Sequence, residues 1–426
     1  MISFWRIFFL ELTAFVRSKS LILLLAATTG WMLAAPFVLT GDGTSESMRE
    51  LVVRNSLGGV AALAAVALLS SATGAFARER AAKRLQLTLV RPVRYTVVAL
   101  AKIAALVFAG AIVIVAAAVV EALRSPLDRQ CRHVLSPMME SPREEAYRMY
   151  AAYMSDTNTP KAVKQAKPDV VLRLLALRAL DRYESVRCGA SAHWRFALPE
   201  TFDSAKGAFA KMRFASEFGM RQDVAGELSL STGGVSLTAA VSNVTQSVVD
   251  IPLAVSSAAD EAEKGVLEFR NCGKTVMMLR PRRDVKLLVP ADTFGWNLIR
   301  ASIELVAIIA LIVSFGVFLG AALSRPVALF AAFTALVVAE ISPSVLEQYP
   351  DELETNPVDA IGLQITRAAA ELAHPVSSLE PMAKLSDDTC IEAREVVRAT
   401  IADIVVAPLV FAFLSALVLP RKSDVC

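Results

Sequence analysis

Histidine is almost absent from this chain: there are three in 426 residues, His133, His193 and His374, far apart from one another. With only five cysteines besides, little material remains for a metal centre built on soft or imidazole ligands. No HExxH or GxSxG motif occurs, and no paired carboxylates fall inside an apolar run, so the usual hydrolytic constellations are missing. The Gly-Lys-Thr at 273–275 has Glu268 where a phosphate-binding loop needs its first glycine, and it lies in a strand-like pattern. Neither an enzyme nor a nucleotide-binding chain is expected, and no cofactor. Net charge is also low, at +3 from 44 basic and 41 acidic residues, which gives no electrostatic footprint for nucleic acid. Internal repeats and low-complexity tracts are lacking.

Apolar residues are what the chain has in excess. They make up 55% of it and the mean hydropathy is +0.50, whereas a soluble domain is about 45–50% apolar. Charged residues still amount to 20%, too many for a bundle of membrane helices alone. The excess concentrates in six continuous runs, 20–40, 56–76, 96–120, 297–322, 326–343 and 401–420, each long enough to cross about 30 Å of hydrocarbon as a helix. None alternates as a strand would. The last run contains Asp403 and Pro408. The first is preceded by 19 residues that include Glu11 and many aromatics, which reads as an uncleaved anchor rather than a signal peptide.

Orientation follows from lysine and arginine in the short loops. Segment 77–94 (ARERAAKRLQLTLVRPVR) holds six bases and one acid, so the positive-inside rule makes it cytoplasmic. Arg6, Arg17 and Lys19 before the first run, Arg325 between the fourth and fifth, and Arg421 and Lys422 at the end then fall on the same side. Loop 344–399, with eleven acids and four bases, falls on the other. The expectation is a multi-pass α-helical membrane protein with six transmembrane helices, both termini cytoplasmic, and a mixed α+β extracytoplasmic domain over 123–293. Its first part, 140–188, has helical spacing broken at Pro160 and Pro168, and 192–290 alternates with period two between Gly-Gly and Gly-Lys turn signals. An antiparallel β-sandwich or barrel follows from that pattern. Interfacial helices are expected in 344–400, ahead of the last run. Cys131, Cys188, Cys272 and Cys390 fall on the outer side and are candidates for disulfides, with three pairings open.

The cytoplasmic segment carries the most specific pattern. Its LQLTLV centre between basic flanks suits a short amphipathic helix on the membrane surface, ended at Arg91-Pro92. Lys102 lies a turn or two into the third run, from which its stem could snorkel to the interface. Arg300 and Glu304, four apart near the outer end of the fourth run, can pair on one helix face and anchor it at the interface.

Read together, residues 74–105 resemble the permease subunits of type-2 ATP-binding-cassette (ABC) exporters. In that family an acid follows the second span, a small cytoplasmic helix carries a leucine-rich pattern ending in proline, and a lysine opens the third span. Here Glu79, then Leu85, Leu87, Thr88, Leu89 and Pro92, then Lys102 stand in those places. The stretch 4–20 is similar to the family's amphipathic entry helix, with Phe4, Phe8, Leu12 and Phe15 on one side. The GAALSRPVALFAAF hairpin within 295–343 and the last run after LEPMAKL extend the likeness over the membrane part, somewhat more than half of the chain. The large insert between spans three and four departs from the commonest members.

The resemblance implies a bacterial cytoplasmic-membrane transporter whose ATP is hydrolysed by a separate cytoplasmic ATPase subunit, with two permease chains forming the pathway. It implies that 77–94 is the coupling helix, in which Arg78, Glu79, Arg80, Arg84 and Arg91 give charge complementarity to the ATPase while Leu85, Leu87 and Leu89 give apolar contact. The rival reading is a membrane-anchored envelope or sensor protein whose outer domain binds a partner.

Overall fold

The computed structural model describes residues 2–17, 19–40, 45–81, 94–127, 129–155, 168–180, 182–199, 202–216, 221–232, 235–245, 248–258, 265–348, 364 and 381–423. The chain divides into two compact units, Met1–Arg129 with Thr293–Cys426, and Gln130–Asp292.

Four helices open the first unit: α1 (Ile2–Arg17), α2 (Ser20–Val38), α3 (Ser45–Ala81) and α4 (Tyr95–Arg124). The second unit begins with strand β1 (Gln130–Leu135) and continues through helices α5 (Pro142–Ser155) and α6 (Pro168–Leu180). Strands β2 (Glu184–Val186), β3 (Ser191–Arg195), β4 (Ala208–Arg213), β5 (Ala215–Ser216) and β6 (Asp223–Ser231) follow. Next come β7 (Val235–Val244), β8 (Val248–Ala258), β9 (Val266–Asn271), β10 (Met277–Leu279), the short α7 (Pro281–Asp284) and β11 (Val285–Thr293). The chain returns to the first unit with α8 (Phe294–Ala322) and α9 (Arg325–Gln348), then α10 (Pro381–Ser386) and α11 (Ala393–Ala399). A π-helical stretch, Thr400–Val406, leads into α12 (Ala407–Ser423).

In the second unit an eight-stranded curled sheet has the order β1-β11-β4-β8-β7-β6-β9-β3, and a three-stranded sheet has the order β2-β10-β5. Every pairing with a described register is antiparallel, for example Leu228 opposite Phe269 and Ala210 opposite Leu287. The period-two pattern is the cause: Val224, Leu228 and Leu230 of β6 and Leu267 and Phe269 of β9 all turn into one core, with Trp194, Met212 and Phe214. Strand β1 was not expected from its sequence, because QCRHVL mixes charge and polarity on both faces. Glu145, buried at the start of α5, accepts hydrogen bonds from Arg182 (2.7 Å) and Arg282 (3.1 Å). Burial works against its charged form, but these two guanidinium groups outweigh it and hold the carboxyl below the usual range.

Cys188 and Cys272 are exposed free thiols beside the turn where Gly189 N–H donates to Asn271 O (2.8 Å). Cys131 is buried and Cys390 half-buried.

In the first unit five helices are long and apolar enough to cross a membrane: Leu21–Val38, Met48–Arg80, Tyr95–Arg124, Phe294–Ala322 and Ala393–Leu419. Of the six runs expected, 326–343 is helical within α9, but its described apolar part, Arg325–Val338, is shorter than a span. The π-helical stretch has a local cause. Pro408 cannot donate to the carbonyl of Ile404, and the widened turn just before it accommodates the gap.

Helix α8 is the centre of this unit, packing on α3, α4 and α12. It meets α3 through Gly316 and Gly320, a GxxxG pair. A Cβ on Gly320 would lie 2.5 Å from Thr73 O and 2.9 Å from Thr73 C, and one on Gly316 would lie 2.8 Å from Leu69 Cδ1. Thr73 opposes Gly320 with backbone, which cannot move aside. Gly320→Val is therefore expected to destabilise the chain by at least about 1–3 kcal/mol. Gly30→Ala, where a Cβ meets nothing within 4 Å, should cost nothing. Thermal unfolding of the detergent-solubilised variants checks both, and equal melting temperatures for the two would refute the close contact.

Candidate functional site: a buried ion cluster at the end of α3 and the start of α4

Three of the sequence-predicted residues, Arg78, Glu79 and Arg80, form the last turns of α3, and Lys102 lies in the second turn of α4. Arg84, Leu85, Leu87, Leu89, Arg91 and Pro92 lie outside the described residues.

The Lys102 side chain is 2% exposed, and its ammonium lies between two carboxylates, Glu79 (Oε1, 2.6 Å) and Glu11 of α1. The ring of Phe76 stands 5.4 Å from the same nitrogen. An ammonium among apolar helices needs an anion close by, and the two acids supply one from each neighbouring helix. The apolar face of α1 supports this geometry: Phe8 packs on Ala101 and Ala105 of α4, with Phe4, Ile7 and Leu12 around it. Glu11 shares that face, so the helix that seats Phe8 also delivers its carboxylate.

Glu79 is thus held within the chain, and so is Arg80. The Arg80 guanidinium donates to the carbonyls of Gly320 and Leu323 (2.9 Å) at the end of α8, which have no intrahelical donor. Arg78 is exposed, and its Nε donates to Gly74 O (3.1 Å). The three described residues of the expected coupling segment therefore separate: Glu79 and Arg80 tie α3 to α1, α4 and α8, while Arg78 is exposed.

A second polar cluster lies at the other end of these helices. Asp388, 4% exposed and in the left-handed region with φ 52°, accepts from Arg49 (3.0 Å) and pairs with Arg129. Asn297 of α8 clamps the same segment, donating to Thr389 O (2.7 Å) and accepting from Ile391 N–H (2.8 Å). Arg300 donates to Ile391 O (3.1 Å). Glu304 is buried, and its Oε1 has no hydrogen-bond partner among the described residues. Glu121 is buried between Ser56 and Ser125 (2.9 Å). Among the described residues no group of three or more His, Cys, Asp or Glu is placed to hold a metal ion.

Sequence reasoning did not find Glu11 as the partner of Lys102, or Asp388 as the hub for two arginines. A signal for the first was present: Glu11 is the one acid of a helix whose apolar face carries Phe4, Phe8 and Leu12, and an acid beside such a face calls for a cation near it.

These features define a membrane-embedded type of chain, with apolar helices bound at their ends by polar clusters and a separate sheet-rich unit. No protein-family model, curated protein or solved structure matches it.

Replacing Lys102 by Met would leave two carboxylates facing each other in a largely apolar site. A loss on the order of 3 kcal/mol or more is expected. Adding Glu11→Gln and Glu79→Gln to that variant should restore most of it, because no charge is then stranded. Thermal unfolding of the single and triple variants checks this, and a single variant as stable as the wild type would disprove the pairing.

Proposed function

We propose that this chain is the permease subunit of an ABC exporter, driven by a separate cytoplasmic ATPase and working as a pair of permease chains in a bacterial cytoplasmic membrane. The observation that carries the reading is the Lys102 cluster. It binds together the two helix ends that flank the basic 82–93 segment and attaches both to α1. A push on that segment by an ATPase would reach α3, α4 and α1 together, and α8 through Arg80. In this reading α9 supplies the sixth crossing, both termini and the 77–94 segment are cytoplasmic, and the sheet-rich unit is extracytoplasmic. Arg84 and Arg91, with Leu85, Leu87 and Leu89, make the contact with the ATPase. The cargo follows from nothing in the helices, whose apolar faces suit lipid and helix packing alike.

Affinity purification of the full chain from its native membrane is expected to bring down an ATPase with a P-loop. Arg84→Glu with Arg91→Glu should reduce the recovered ATPase at least tenfold while leaving the chain in the membrane. A chain recovered with no ATPase, or an association indifferent to the two reversals, would favour the anchored envelope or sensor protein.

A further inference from the structure

A groove of about 780 Å³ opens on the first unit between α2 and α3. One face of α3 lines it from Gly59 to Ser70, and α2 contributes Leu23 and Trp31. Its walls are apolar and uncovered: Leu23 is 68%, Val66 54% and Leu63 40% exposed. One end is closed by Trp31, whose indole lies on Gly59 and whose Nε1–H donates to Asn55 O (2.9 Å).

The other end carries two cations. Arg78 of α3 and Arg325 at the start of α9 converge on Gly74, where a Cβ would stand 3.0 Å from Arg78 Nε and 3.4 Å from Arg325 Nε. Glycine leaves the room in which both guanidinium groups fit. Among the described residues neither arginine has a carboxylate partner, and Arg78 commits only its Nε to protein. Two like charges this close repel each other, and a shared anion would relieve them. Arginine forks match phosphate oxygens in particular.

From Gly59 to Arg78 the helix rises about 28 Å, close to the hydrocarbon thickness of about 30 Å. The groove is thus an apolar trough of roughly membrane depth with positive charge at one end only. A free anion would not use the trough, and an apolar molecule would not use the arginines. We propose that the groove binds one molecule of an anionic phospholipid, its phosphate bridging Arg78 and Arg325 and an acyl chain lying against Leu23, Leu63 and Val66. A zwitterionic headgroup fits less well, because its ammonium would be brought beside two guanidinium groups.

The test is native mass spectrometry of the full chain purified in neutral detergent and supplied with phosphatidylglycerol or phosphatidylcholine. One phosphatidylglycerol per chain should be retained, at least tenfold in preference to phosphatidylcholine. Arg78→Gln with Arg325→Gln, both exposed positions, should abolish the preference, and the double lysine variant should keep part of it. Ala67→Phe fills the trough without touching the cations and should also expel the lipid. The proposal falls if phosphatidylcholine is held equally, if the double glutamine variant retains phosphatidylglycerol unchanged, or if Ala67→Phe leaves retention intact. It also falls if inorganic phosphate displaces the lipid, which would mark a free-anion site, or if a dimer retains neither lipid because a second copy fills the groove. The readout needs no ATPase, so its outcome is independent of the exporter reading.

Discussion

An ammonium group cannot stand alone among apolar helices, and the first unit is organised around that constraint. Lys102 requires carboxylates within hydrogen-bond distance, and it takes one from α1 and one from α3. This demand sets the rotation of α1 about its axis, because Glu11 must point where Phe8 also packs. It sets the spacing of the helix ends on either side of the basic segment as well. Arg80, one residue beyond Glu79, extends the same corner to the end of α8 by filling the unsatisfied carbonyls there. Four helices therefore meet at one corner through charge and backbone hydrogen bonds.

Away from that corner the helices hold by shape. In hydrocarbon, apolar surface gains little by leaving lipid for protein, so close van der Waals contact must supply the attraction. Gly316 and Gly320 let α8 approach α3 down to the backbone of Thr73, and Gly110 of α4 makes room for Ile309 and Leu68. The α2–α3 face is different: its large side chains stay exposed, and Trp31 closes the seam at one end only. The same contrast separates the parts proposed to move together from the face proposed to hold lipid. In the Gln130–Asp292 unit, the sheets enclose an ordinary buried core of Trp194, Phe214, Leu228 and Phe269.

Much of the fold was legible in residue order. Period two over 192–290 marks strands because side chains alternate between faces, and the long continuous apolar runs mark helices because a single segment satisfies its own backbone within hydrocarbon only as a helix. The count of spans was less legible, since the described apolar part of α9 stops at Val338. Strand β1 escaped because an edge strand with charged residues has no clean alternation. The candidate site was half visible: Glu79 and Lys102 stand out as charges at the ends of apolar runs, whereas Glu11 is 91 residues from its partner.

What the sequence alone determined is therefore what depends on local periodicity and composition: apolar helices, an alternating β region and a basic segment between two spans. Tertiary structure alone decided which charges meet. It paired Lys102 with Glu11 and Glu79, turned Arg300 to a backbone carbonyl, drew Arg49 and Arg129 onto Asp388, and brought Arg325 beside Arg78. The physical reason is that burial of a side chain is encoded by its neighbours in sequence, while the partner of a buried charge depends on helix rotation and close packing between segments far apart in the chain.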